Sequence, residues 1–338
     1  LDIKNWTTKE KAGQHFIIGF DGISPPKFLI ERIKNGQIGG IILFKRNIKS
    51  FDQLCSLISN LQNASLKSRL KIPLFVSIDE EGGRVSRLSP DFDCLPSAQS
   101  LSKYEEEKRI KKCVVLLARQ MKKVGINLNL SPVLDLSTNP ECTVIGDRSF
   151  GSNPEKVGFT GRKIISYYQS NLIAACAKHF PGIGEIHVDP HHELPICDIS
   201  ENKLTTRELI PFKLAFDSKS NDERVLTVMV GHTIYTKIDP DHISSQSKKI
   251  MIKILREKLS FEGIVLTDDL DMNAISLSEK NAFKSINAGA DIILICNNSE
   301  NYEKNYQFLC KKIENLELDP ETEKKSLERI LRIKGKIS

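Results

Sequence analysis

The sequence predicts an α/β fold of the (β/α)₈ class, a single TIM-type barrel whose active site lies at the C-terminal ends of the strands. Three observations predict it. Eight short, β-rich apolar runs recur along the chain, helical stretches separate them, and polar or titratable residues succeed most of the runs. The 338 residues suit one large barrel, and no Pro/Ser-rich linker or shift in composition divides them. Residues 1–338 are therefore read as one barrel domain. A doubly wound open sheet is the competing architecture.

The first strand is read at His15–Phe20, the second at Gly40–Phe44 and the third at Pro73–Ile78. The fourth to sixth lie at Ile126–Leu130, Ile173–Ala177 and Val225–Val230. Gly263–Leu266 and Asp291–Ile295 complete the set. Continuous apolar runs of this length suit strands buried on both faces, as in a parallel sheet. Between them, Glu105–Val124 carries Ile110, Val114, Leu117 and Met121 at helical spacing. Glu155–Leu172, Lys248–Leu259 and Ser278–Ala288 read the same way. From Asp319 onward a final amphipathic helix is expected, with Leu327, Ile330, Leu331 and Ile333 inward.

Composition removes several function classes. Hydrophobic residues make up 40% and charged residues 27%, enough for a large core. A membrane span needs roughly 20 consecutive apolar residues, and no run approaches that. The formal charge of +6 is spread thinly, with small clusters at Lys111–Lys112 and Lys324–Lys325, so nucleic acid is not expected as a partner. The eight cysteines form no C-x-x-C motif, which argues against a zinc site. Cys176 and Cys296 lie in apolar runs and read as reduced core residues, so a cytoplasmic location is expected. The Leu1–Trp6 start lacks the apolar core of a secretory signal.

The residues just past each strand are more informative. Asp79 and the run from Glu80 to Arg87 come after the third, and Asp135 after the fourth. Lys178–His179 close the fifth, His232 the sixth, Asp268–Asp269 the seventh and Asn297–Asn298 the eighth. In a barrel these ends form one ring, where such folds carry their chemistry. The longest loop runs from Lys178 to Pro195 and holds His187, His191 and His192 with Glu185, Asp189 and Glu193. Pro181, Gly182 and Gly184 would let it move as a lid. Its residues allow a metal site, an ordinary polar loop, or an acid/base pair in which Asp189 orients and polarises His191. The spacing matches no standard zinc motif.

Four segments carry a resemblance. They are IDEEGGRVSRL from Ile78, SPVLDL from Ser131 with VIGDRSFG after it, KHFPGIG from Lys178 with the downstream Asp189–Pro190–His191, and VLTDDLDM from Val265. At these residues the sequence resembles glycoside hydrolase family 3, and within it the NagZ-type β-N-acetylglucosaminidases. The resemblance implies a hydrolase that releases terminal non-reducing β-linked N-acetylglucosamine with retention of configuration. It implies Asp268 as nucleophile, His191 as acid/base and Asp189 as its partner. Asp79, Arg87, Arg148, Lys178 and His179 would hold the sugar, with no metal and no cofactor. A muropeptide from peptidoglycan recycling is the substrate it suggests. The chain departs from the family pattern at Glu80, usually Gln, at Pro190, usually Ser or Thr, and across Asp239–Ser247. A phosphorylase using the same intermediate and a non-catalytic sugar-binding barrel are the alternatives. Product analysis with and without phosphate separates the first, and a turnover assay the second.

Overall fold

A computed structural model describes residues 3–88, 91–103, 107–139, 142–186, 194–217 and 223–337. Eight strands run parallel and close on themselves: β1 (Phe16–Ile18), β2 (Gly40–Leu43), β3 (Phe75–Ile78), β4 (Leu128–Asn129), β5 (Ala174–Phe180), β6 (Thr227–Val230), β7 (Ile264–Asp269) and β8 (Ile292–Ile295). They neighbour one another in chain order, and β1 closes the ring on β8 with Phe16 opposite Ile293. The open-sheet alternative is thereby excluded. A separate two-stranded parallel ribbon pairs Ile196–Cys197 with Ile234–Tyr235.

The strands bury both faces, and alternate residues divide into two cores. Ile17, Phe75, Leu128, Cys176, Leu266 and Leu294 belong to the cluster inside the barrel. Their neighbours Phe16, Val76, Ala175, Val265 and Ile293 belong to the larger cluster under the helices. Phe16 shows the outward direction, since its ring meets Tyr302 and Tyr306 of the Ser299–Glu314 helix edge-on. A period of two along each strand is what a sheet covered on both sides requires.

The expected helices form. Glu107–Val124 buries Ile110, Val114, Leu117 and Met121 on one face. Pro154–Gln169 starts with Asn153 accepting from the Lys156 amide. Lys249–Lys258 is wound as a π-helix. In the last helix, Pro320–Ile337, Leu327, Ile330 and Ile333 are buried, while Leu331 is half-buried at the edge of the inner cluster.

Strand ends differ from the sequence reading in a way that matters for the site. β5 does not stop at Ala177 but continues to Phe180, because the chain after β4 stays beside it: Leu134 N donates to Lys178 O at 2.6 Å and Lys178 N to Pro132 O at 3.2 Å. β7 likewise continues through Asp268 and Asp269. Lys178, His179 and Asp268 are thus carried on strand, not on loop.

The N-terminal end of the barrel is closed by a network of buried polar groups. Asp291 accepts from Ser326, Arg256, Arg329 and the Val265 amide. Lys334 is buried and donates to Gln14 Oε1 at 2.9 Å and Gly39 O at 2.8 Å. No helix among the described residues is long and apolar enough to cross a membrane.

Candidate active site

The C-terminal tips of β3, β5 and β7 open onto a cavity of about 250 Å³. Asp79, Arg87, Arg148, Lys178, His179 and Asp268 all line it. Six residues named from the sequence, scattered over nearly two hundred positions, are brought together. Asp189 and His191 lie outside the described residues. A cavity of this size falls just below the usual range for small-molecule sites, roughly 300–1,000 Å³.

The sequence Ile78–Asp79–Glu80–Glu81–Gly82–Gly83 sets one side. Extended backbone alternates its side chains, so Asp79 and Glu81 reach the cavity while Glu80 turns away. Glu80 Oε2 instead accepts the Arg87 amide at 2.8 Å and the Leu88 amide at 3.0 Å, and so holds the segment that presents Arg87. An amide oxygen of Gln could accept the same two bonds, which explains why either residue serves here. Gly82 makes the turn possible: its φ is +90°, and a Cβ there would lie 2.4 Å from the Pro96 carbonyl oxygen. Arg87 then sits over the Phe44 ring, 5.8 Å from its centre. Its Nε has no hydrogen-bond partner among the described residues and is a donor for a ligand.

A chain of charges crosses the cavity. Lys178 Nζ lies 2.7 Å from Asp79 Oδ1 and 2.6 Å from Glu81 Oε1. Burial opposes the charge on Lys178, but the two carboxylates outweigh it and hold the ammonium at about 12. Arg148 donates to Glu81 through Nε at 2.8 Å and Nη2 at 2.9 Å, a bidentate pair. Burial opposes ionisation of Glu81 too, yet Lys178 and Arg148 keep it well below the usual carboxylate range.

His179 is fixed from behind. Asp135 Oδ2 accepts its Nδ1–H at 2.7 Å and its backbone N–H at 3.0 Å. That leaves Nε2 as an acceptor, 3.4 Å from Arg148 Nη2. Asp135 Oδ1 takes the Ile183 amide at 2.8 Å, so one carboxylate orders both the imidazole and the start of the next loop. That loop start is anchored by further contacts. Tyr235 Oη donates to Gly182 O at 2.8 Å, and Gly184 lies so close to Leu136 that a Cβ would meet its carbonyl oxygen at 1.9 Å. Gly184 thus serves close approach of the two backbones. Residues 187–193 lie outside the described part.

Asp268 is half-buried on the opposite wall. Burial would raise its pKa, but His179, His232, the Asp269 amide and Lys178 together hold it below the usual aspartate value. It is therefore an anion at neutral pH. Its neighbour Asp269 behaves oppositely. Burial, with Asp271 and Asp268 nearby, pushes it up to about 7 despite the hydrogen bonds it accepts from the Asp271 and Cys296 amides. Two adjacent carboxyls with separated titrations can take different roles. His232 donates through Nε2 to Asp269 O at 3.2 Å and accepts at Nδ1 from Ser245 Oγ at 2.7 Å. Burial lowers its pKa, so it is neutral. The 239–247 segment, where the chain departs from the family pattern, builds this support: Asp239 binds Ser247, and Ser244 bridges Gly231 O and the Thr233 amide.

Sequence reasoning did not single out Glu81. Strand alternation could have found it, since it lies two residues from Asp79. His232 and Asp135, which the sequence places on the ring of strand ends, support the site through Asp269 and His179. All cysteines of the chain are unpaired, with Cys176 and Cys296 buried as expected. Among the described residues no group of His, Cys, Asp or Glu is arranged to hold a metal ion.

The family model described as "Glycosyl hydrolase family 3 N terminal domain" matches residues 7–333. Beta-hexosaminidase A of Pseudoalteromonas piscicida is 31% identical over 337 residues, which cover 93% of this chain and 56% of that protein. Beta-hexosaminidase of Actinobacillus pleuropneumoniae serotype 3 is 35% identical over 283 residues, covering 80% of this chain and 77% of that protein. A solved glycoside hydrolase family 3 β-N-acetylglucosaminidase from Paenibacillus sp. str. FPU-7 superposes with a TM-score of 0.93 at 32% identity, over 98% of this chain and 63% of that one. The chain thus spans little more than half of the first relative and under two thirds of the Paenibacillus enzyme.

Proposed function

Because the chain belongs to glycoside hydrolase family 3, we propose that it hydrolyses terminal non-reducing β-linked N-acetylglucosamine with retention of configuration. The observation that carries this reading is Asp268: an ionised carboxylate on a wall of a small cavity that Asp79, Arg87, Arg148, Lys178 and His179 also line. Beta-hexosaminidase names among the relatives support the sugar.

In the first step an Asp268 oxygen attacks the anomeric carbon, and the bond from that carbon to the leaving oxygen breaks. Protonated His191 gives its proton to the leaving oxygen. In the second step water attacks the same carbon, its proton passes to His191, and the ester to Asp268 breaks. Asp189 would orient His191 and support its charge. Asp79, Arg87, Arg148, Lys178 and His179 would hold the ring, using binding energy to place the anomeric carbon over Asp268. A muropeptide aglycone in peptidoglycan recycling, and with it a cytoplasmic setting, is the context we infer from the resemblance in sequence.

The test is chemical labelling combined with leaving-group dependence. A 2-deoxy-2-fluoro or 5-fluoro sugar should label Asp268, and Asp268→Ala should lose turnover by about 10⁴-fold or more with its fold intact. His191→Ala should slow a disaccharide far more than a nitrophenyl glycoside, with azide restoring part of the loss. Labelling of another carboxylate overturns the nucleophile. Equal slowing of both substrates without azide rescue removes His191 from the acid/base role.

A further inference from the structure

Glu81 has no direct task in the reaction just proposed, yet it is the most heavily engaged carboxylate in the cavity. Its side chain is only 4% exposed. Oε1 accepts from Lys178 Nζ at 2.6 Å and Arg148 Nη2 at 2.9 Å, and Oε2 accepts from Arg148 Nε at 2.8 Å. Both oxygens are committed to protein donors. Asp79 differs: its side chain is 18% exposed, and it spends Oδ1 on Lys178. The two acids that share Lys178 therefore differ: Asp79 keeps an oxygen toward the cavity, and Glu81 is committed to the two cations.

Lys178 and Arg148 are like charges in a small, largely buried space. Left alone they would repel, and burial would cost each several kcal/mol. Lys178 would retain Asp79, but Arg148 would lose both of its charge-assisted bonds to a carboxylate. Its remaining anionic neighbours are Asp135, which orders His179, and Asp79, which holds Lys178. A guanidinium free to seek them would disturb the His179 ring and compete with the sugar for Asp79.

Resting on the proposed reading, we infer that Glu81 is a positioning residue: it fixes Lys178 and Arg148 as a preset pair, so that the sugar meets two immobile donors. Glu81 acts through the two cations and touches no reacting atom. Supporting residues of this kind typically change activity by about 10–100-fold when removed. The glycine turn next to it, Gly82–Gly83, fixes the backbone beneath it.

The experiment is a double-mutant cycle on the full chain, using a panel of aryl glycosides that includes the N-acetylglucosaminide. If the parent cleaves none of them, the functional reading fails, independently of Glu81. On whichever glycoside the parent cleaves, Glu81→Gln should lower kcat/KM by about 10–100-fold, through both a raised KM and a lowered kcat. Glu81→Asp, which keeps the charge but shortens the reach, should recover part of the loss. Combined with Arg148→Gln, the total loss should fall at least about tenfold short of the product of the two single losses, because both act on one unit. Strict multiplication of the losses, or parent-like kinetics in Glu81→Gln, overturns the proposal. Collapse of the fold in both Glu81→Gln and Glu81→Asp, read by thermal melting, also overturns it, since it makes the ion pair structural alone.

Discussion

Asp135 gives both oxygens to groups that shape the site: the His179 ring and amide, and the Ile183 amide. Replacement by Asn would set an NH₂ group against N–H donors. One or two buried donors would lose their acceptor, at about 1–3 kcal/mol each, and His179 could turn its ring or exchange its tautomer. Asp135→Asn should therefore lower the melting temperature and reduce kcat/KM by about 10–100-fold. Parent-like kinetics with a lowered melting temperature would show that His179 is oriented by other contacts. At this scale the sequence spoke clearly for residues that stand at strand ends. Asp79, Lys178 and Asp268 were legible because a titratable residue after an apolar run is unusual. The links between them were not, since the Glu81–Arg148 pair joins positions 67 apart and nothing local marks it. Asp135 could be placed on the right ring, but its partner could not be named before the strands closed.

Among the elements, the turn after β3 is the one whose backbone the site depends on. Glu81 N and Gly82 N both donate to Val85 O, and Gly83 N donates to Leu95 O, so the turn is closed on itself and tied to the next segment. Gly82→Ala would place a Cβ at positive φ and against the Pro96 carbonyl. The strain should cost more than about 1 kcal/mol and move Glu81 and Arg87 together. A combined fall in melting temperature and rise in KM is expected. An unchanged KM would separate the turn from the sugar-binding groups. Helix positions were well read from periodicity, because one buried face in 3.6 residues leaves a strong pattern, as in Glu107–Val124. Strand ends were not, since β5 and β7 run on through charged residues that interrupt the apolar signal. Their hydrogen bonds come from neighbouring strands, and a single strand's sequence does not record its neighbour.

For the whole molecule, the closed end of the barrel carries a pH signature. Burial pulls Lys334 down to about 7, while an unfolded lysine titrates near 10.4. Between those values the unfolded chain holds a proton that the folded chain lacks. By linkage, this residue makes folding less favourable below about pH 7 and progressively less costly as pH rises toward 10. A shift of this size corresponds to a few kcal/mol. Lys334→Met should therefore gain stability relative to the parent, with the gain larger at pH 6 than at pH 9 in chemical denaturation. A gain independent of pH would mean that Lys334 stays charged in the fold, where its ammonium lies 5.1 Å from the centre of the Phe75 ring. The barrel as a class was legible from eight runs and their polar ends. The buried lysine was not, because Lys334 lies in a helix whose other lysines face solvent.

The chain has a single tryptophan, and Trp6 is buried in the inner cluster that also holds Leu327, Ile330 and Ile333 of the final helix. An aromatic ring at position 6 thus completes its surroundings with residues of the Pro320–Ile337 helix, far along the sequence. Its indole is shielded from water only when that helix docks, so its emission should report the docking directly. Unlatching of the helix can then be followed by the light of one residue, without any added dye.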